Sequence, residues 1–217
     1  MNPIPSIAMK VARALHGLSK VPRTRAAMRA FQQLRLGPGD TAIDCGANVG
    51  DVTLALASGG ATVHAFEPFP EAFAVLERRT RELPHVHCHQ CAVADAAGSA
   101  QLFLHRRPSD DPLEHSSGSS LLATKHNLDP ARCIDVETVV LADVIHDLGR
   151  VNLLKIDVEG FEIRLLNHLL DTGAIHAVEQ VFCETHEFKV QGLYRDTQRL
   201  RQRLAAAGIE HVNLDWC

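Results

Sequence analysis

No run in the 217 residues is apolar for long enough to cross a bilayer. The opening residues, MNPIPSIAMK, lack the charged segment followed by an apolar segment that marks a secretory signal. Excess positive charge is missing too. A net charge of -4 and a pI of about 6.3 argue against the broad basic surface that duplex DNA or long RNA requires. With no secretory signal, the six scattered cysteines are expected as reduced thiols in a cytoplasmic protein. A zinc motif is also lacking. Cys88 and Cys91 stand in CHQC beside His87 and His89, but residues i and i+3 of a strand point to opposite faces. No second cysteine pair follows at tetrahedral spacing, so both are read as buried structural cysteines. Internal repeats and low-complexity tracts are absent.

What is present is an ordinary globular composition, 46% hydrophobic and 22% charged, enough for one domain with a real core. Ile4 to Leu18 carry apolar residues at helical spacing, and a second helix is expected over Thr24 to Leu34. Residues 1–36 thus read as a helical extension. The GPGD break at Gly37 opens the main domain, 37–217. From there strands and helices alternate. TAIDC, ATVHAFEP and HVHCHQCAV read as strands, with helices over Val49 to Ala57 and Glu71 to Arg81 between them. NLLKIDVEG, AVEQVFCETH and GIEHVNLDW are later strands, separated by helices over Glu162 to Leu170 and Arg195 to Ala207. This rhythm predicts an α/β fold with a mostly parallel sheet and helices on both faces. It lapses over about 96–151, an insertion. There SAQLFLHRR reads as an added strand and Ser109 to Leu128 as a long loop able to fold over a cleft as a lid. RCIDVETVVLADVIHDLG reads as a short strand and a helix.

In an open parallel sheet, ligands sit beyond the carboxyl ends of the strands where the strand order reverses. The first strand-to-helix turn here is AIDCGANVGDVT. Glycines in such a turn let the backbone approach a ligand, and dinucleotides and S-adenosylmethionine both use one. The dinucleotide fingerprint wants G-x-G-x-x-G. Here the order is Gly46-x-Asn48-x-Gly50, so the middle glycine is missing and the last comes early. Asp44 ends the strand. A carboxylate pointing into the ligand space would repel a pyrophosphate and suits a cationic amino-acid head group.

Glu67 ends the second strand in HAFEPFP, where a carboxylate can accept from both hydroxyls of a ribose. Pro68 and Phe69 can pack on an adenine face. Asp95 can accept from an adenine amino group or simply cap a turn. Asp157, Glu159 and Glu162 gather in LLKIDVEGFE beside Lys155, at the end of a buried strand. Glu159 and Glu162 can equally serve a helix N-terminus.

DCGANVGDVT, FEPFPEAFAVLE, LKIDVEGFE and the shorter VETVVLADVI together resemble the FkbM family of S-adenosylmethionine-dependent class I methyltransferases, from about Asp40 to about Glu187. The resemblance implies a seven-stranded Rossmann-like sheet and methylation of a hydroxyl, often on a sugar or polyketide. It implies that Asp44, Gly46, Asn48 and Gly50 hold the methionine part of the cofactor and Glu67 the ribose. Ala92 to Asp95 would meet the adenine, and Asp157 would lie near the methyl group. The class closes its sheet with an antiparallel strand pair, whereas one strand follows the last helix here. The far edge then either lacks a strand or takes one from another chain of a homo-oligomer.

A hydroxyl nucleophile benefits from a base or a metal. The candidates are Asp157 with Glu184 and His186 of CETHEF, as a base dyad or as a divalent metal site of carboxylate ligands. His186 can also be a surface histidine at a strand end. Ser116 to Ser120 and His126 can touch the acceptor, a small molecule or glycan. Two other readings stay open. One is a nicotinamide-dependent oxidoreductase, disfavoured by the missing glycine and by Asp44. The other is a catalytically silent binding module.

Overall fold

The computed structural model describes residues 22–216 except 107–112, 114–117, 126, 188, 189 and 191. The helix expected over Ile4 to Leu18 lies outside the described residues. The second helix, α1 (Pro22–Gln33), is followed by β1 (Thr41–Cys45), α2 (Asp51–Ala57), β2 (Thr62–Phe66), α3 (Pro70–Thr80) and β3 (Val86–His89). After the insertion come α4 (Leu141–Leu148), β7 (Leu153–Ile156), α5 (Glu162–Thr172), β8 (Val181–Cys183), α6 (Leu193–Ala206) and β9 (Val212–Asn213).

Six strands form one sheet in the order β3-β2-β1-β7-β8-β9, and every pairing is parallel. Parallel strands are covered on both faces, which is why β1 and β7 are apolar almost throughout. Ile43, Cys45, Leu154 and Ile156 face a cluster with α4, α5 and α6. Ala42, Val63, Leu153 and Phe182 face the other side, against α1 and α2. Phe31 of α1 is seated there, with its ring 5.3 Å from Phe182 and 5.2 Å from Trp216. The order reverses between β1 and β7, so a crevice opens at their carboxyl ends.

Three expectations need correction. HVHCHQCAV is not one strand. β3 pairs with β2 at the edge of the large sheet, whereas Ala92–Ala94 form β4 in a second sheet. The insertion is more regular than its composition suggests. β5 (Gly98–His105) pairs antiparallel with a 13-residue β6 (Leu128–Val140), and β4 joins β6 in parallel. Their side chains close a separate core of Phe69, Ala72, Ala92, Leu102 and Val136. At the far edge β9 pairs directly with β8 in parallel, and no antiparallel strand adjoins it among the described residues. The five cysteines described are free thiols. Among the described residues no helix is long and apolar enough to cross a membrane.

Candidate active site

The turn after β1 is built by backbone that only small residues tolerate. Gly46 has φ 75°, and a Cβ there would lie 1.9 Å from the carbonyl oxygen of Asp157. Gly46 therefore lets β1 and β7 approach at the mouth of the crevice. Gly50 has φ 90°, and a Cβ there would meet Leu76 Cδ1 at 2.7 Å. Asn48, where the dinucleotide fingerprint has glycine, takes the left-handed conformation at φ 48°, which asparagine accepts more readily than most residues. The amides of Gly46 and Ala47 both donate to the Phe66 carbonyl at 3.0 Å, fastening the turn to β2.

Asp44 does not face the ligand space. It is fully buried, and its Oδ2 accepts from Thr53 Oγ1 at 2.7 Å. Its Oδ1 lies 3.0 Å from Lys155 Nζ. The two residues are register partners on β1 and β7, so opposite charges meet across adjacent buried strands. Lys155 Nζ also donates to the carbonyls of Gly46, at 2.7 Å, and Cys45, at 3.2 Å. Burial alone would lower the Lys155 pKa, but the Asp44 and Asp157 carboxylates raise it.

The crevice is lined by Gly46, Asn48, Glu67, Pro68, Ala92 and Asp157, with Ser119 and Ser120 of the insertion at one wall. Ser116, Ser117 and His126 lie outside the described residues. Glu67 is 6% exposed. Its Oε2 accepts from the Asn48 amide at 2.7 Å and its Oε1 from the Phe69 amide at 2.9 Å. Each carboxylate oxygen keeps a lone pair free for a ligand hydroxyl. Burial pushes the carboxyl up to about 7, against the pull of those two amides and of Lys155. Asp95 does not line the crevice. It accepts from Arg164 Nε at 2.6 Å beside α5.

Beyond β7 and β8 the chain gathers acids around one histidine. His186 is 1% exposed, so it is no surface histidine. Its Nδ1 lies 2.8 Å from Oε1 of the fully buried Glu162. Its Nε2 lies 3.0 Å from Glu159 Oε2, 3.6 Å from Glu184 Oε1 and 3.9 Å from Asp157 Oδ1. The three residues expected to act on the acceptor therefore meet, although only Asp157 of the three reaches the main crevice. Burial by itself would lower the His186 pKa, but the carboxylates of Glu159 and Glu162 on either side raise it to about 10. Burial raises the Asp157 carboxyl against Lys155. Burial would raise Glu159 as well, but His186 and Lys125 hold it down to about 2.

Glu162 also accepts from the amides of Val158, at 3.1 Å, and Gly160, at 2.9 and 3.0 Å, and so shapes the loop that presents Asp157 and Glu159. Glu159 is a non-glycine residue at φ 58°. Such a conformation costs on the order of 1–3 kcal/mol and persists where surrounding contacts enforce it. Here His186 and the buried Lys125, which pairs with Glu159, enforce it.

The carboxyl ends of β1, β2, β7 and β8 thus converge on a single crevice and its acidic floor. A family model described as the methyltransferase FkbM domain matches residues 44–210. The chain belongs to the FkbM methyltransferase family. It is 33% identical over 181 residues to "31-O-demethyl-FK506 methyltransferase FkbM" of Streptomyces tacrolimicus, covering 71% of this chain and 68% of that protein. It is 31% identical over 144 residues to "Methyltransferase 1" of Beauveria bassiana (strain ARSEF 2860), covering 59% of this chain and 58% of that protein. Among solved structures, a precorrin-6y C5,15-methyltransferase from Geobacter metallireducens GS-15 superposes with a TM-score of 0.43 at 9% identity, over 86% of this chain and 74% of that chain. The family assignment rests on sequence.

Sequence reasoning singled out the turn, Glu67 and the acids, but it gave Lys155 and Glu162 no role in this FkbM-family site and missed Lys125 altogether. Lys155 was visible as a lone charge in the buried run LLKI, and such a charge needs a buried partner. Lys125, which comes from the insertion, carried no such signal. Glu162 was legible only as a helix-start acid.

Proposed function

We propose that this protein transfers a methyl group from S-adenosylmethionine to a hydroxyl of a small molecule, sugar or glycan. One observation carries the reading. Glu67, ending β2, Gly46 and Asn48 of the turn after β1, and Asp157 after β7 all line one crevice, which brings a ribose acceptor, a ligand turn and an acid together. The crevice fits that cofactor, because Gly46 lets β1 and β7 meet at its edge and Glu67 keeps acceptor capacity at its wall. Glu67 would hold the ribose, Pro68 and Ala92 would border the adenine, and Asn48 and Gly50 would shape the turn around the methionine part. Asp44 contributes by holding Lys155, which braces that turn from below. Asp95 would serve the adenine only by leaving Arg164.

When bound, S-adenosylmethionine supplies an electrophilic methyl group. The residues of this chain orient the acceptor and handle its proton. Alignment of nucleophile, methyl carbon and sulfur can supply about 7–11 kcal/mol of the barrier. Asp157, which lines the crevice, would take the hydroxyl proton, with His186 and Glu184 as its neighbours. The relative from Streptomyces tacrolimicus is named for an O-methylation, which supports a hydroxyl acceptor here. The test is calorimetric titration with S-adenosylhomocysteine and with NAD, followed by an acceptor screen using labelled S-adenosylmethionine. Binding of NAD in place of S-adenosylhomocysteine would move the protein to the oxidoreductase class.

A further inference from the structure

His186 Nε2 is buried, makes no aligned hydrogen bond among the described residues although Glu159 Oε2 lies 3.0 Å away, and is aimed into the acids. Its orientation is fixed from behind. Glu162, an acceptor, sits 2.8 Å from Nδ1, so Nδ1 carries a proton and the opposite nitrogen faces Glu159, Glu184 and Asp157. A carboxylate holding the rear nitrogen of a histidine is the arrangement that orients metal-ligating histidines.

The distances agree with a shared ligand shell. Two ligands each about 2.1 Å from a cation lie about 3.0 Å apart at a right angle and about 4.2 Å apart when opposite. The three carboxylate oxygens lie 3.0, 3.6 and 3.9 Å from Nε2. Charge points the same way. Around this floor five described carboxylates, those of Asp44, Asp157, Glu159, Glu162 and Glu184, face two ammonium groups, Lys125 and Lys155, an excess of negative charge that favours a divalent cation. A cation at Nε2 would take the place of the proton between that nitrogen and Glu159.

We propose that Asp157, His186 and Glu184 bind a divalent cation of the oxygen-preferring class, Mg²⁺ or Mn²⁺, with Glu162 as the positioning residue behind His186. Glu159 is held by Lys125 and stands beside the ion. Carboxylate-rich sites with one imidazole suit such ions. The ion would sit at the Asp157 end of the crevice. A hydroxyl coordinated to it loses its proton more readily, and this catalytic role rests on the methyl-transfer reading above. The binding itself does not.

The test uses the full chain stripped with EDTA and titrated with Mn²⁺ alone, following free Mn²⁺ by electron paramagnetic resonance. The expected result is one Mn²⁺ per chain, weakened at least tenfold in His186→Gln and in Glu184→Gln and unchanged in Asp143→Asn, a helix-surface control. Glu184 is more exposed than His186, so Glu184→Gln decides the matter if His186→Gln does not fold. No Mn²⁺ binding, or equal binding by Glu184→Gln and the unaltered chain, overturns the metal site. S-adenosylhomocysteine titrated into the same stripped protein separates the two ideas. If it binds while Mn²⁺ does not, the metal proposal alone fails. If Mn²⁺ binds and S-adenosylhomocysteine does not, the methyltransferase reading alone fails.

Discussion

Lys155 Nζ stands 3.0 Å from Asp44 Oδ1 and 2.7 Å from the Gly46 carbonyl oxygen, so one buried ammonium joins two strands and the glycine turn. Removing it leaves Asp44 charged and buried without a counter-charge. Lys155→Met is expected to lose about 3–5 kcal/mol of stability. Urea unfolding measures this. The double variant Asp44→Asn/Lys155→Met should regain part of the loss, since no lone charge remains. A Lys155→Met protein as stable as the parent would show that the pair does not brace the turn.

Glu67→Ala should weaken S-adenosylhomocysteine by about 1.5–3 kcal/mol, the worth of hydrogen bonds to a charged group. Calorimetry on the folded variant reads this directly, and unchanged affinity removes Glu67 from the ribose site.

The Glu67 carboxyl is pushed up to about 7 from an ordinary value near 4.5. The folded chain therefore keeps a proton that the unfolded chain releases between those values. The Glu67 contribution to stability is fully present below about 4.5 and is lost as pH rises toward and through about 7. Cofactor binding should run the other way, strengthening as pH rises through about 7, because the ionised carboxylate accepts both ribose hydroxyls. Denaturation and binding measured between pH 5 and 8 (the conditions chosen) should both change slope in Glu67→Gln. Parallel profiles for the variant and the parent would contradict the assignment.

Asp157→Asn is expected to leave S-adenosylhomocysteine affinity nearly intact and to cut turnover by roughly 10²–10⁴-fold, the range for loss of a positioned acid-base group. Asp157 lines the crevice from the end of β7, whereas Glu67 lines it from the end of β2. If affinity falls in step with turnover, Asp157 belongs to the cofactor instead.

The sequence by itself determined the parallel sheet and the location of its crevice. Doubly covered strands must be apolar runs, and TAIDC and LLKI are such runs. A ligand turn must release its glycines at the strand end, as Gly46 and Gly50 do. Glu67 and Asp157 followed, because each ends a strand and strand ends face the crevice. The orientation of charged side chains was decided only by tertiary structure. Asp44 reads as a carboxylate aimed at a ligand until β7 brings Lys155 alongside it, and the register that does so joins two residues far apart along the chain. The split of HVHCHQCAV is a similar case. Its two halves are equally strand-like, and only the available partners, β2 for one and β6 for the other, separate them. CETHEF marks His186 as a candidate but does not tell a buried histidine from a surface one. The burial of His186 among four carboxylates arises from the meeting of the β7–α5 loop with the end of β8, a contact set by packing and by no spacing in the sequence.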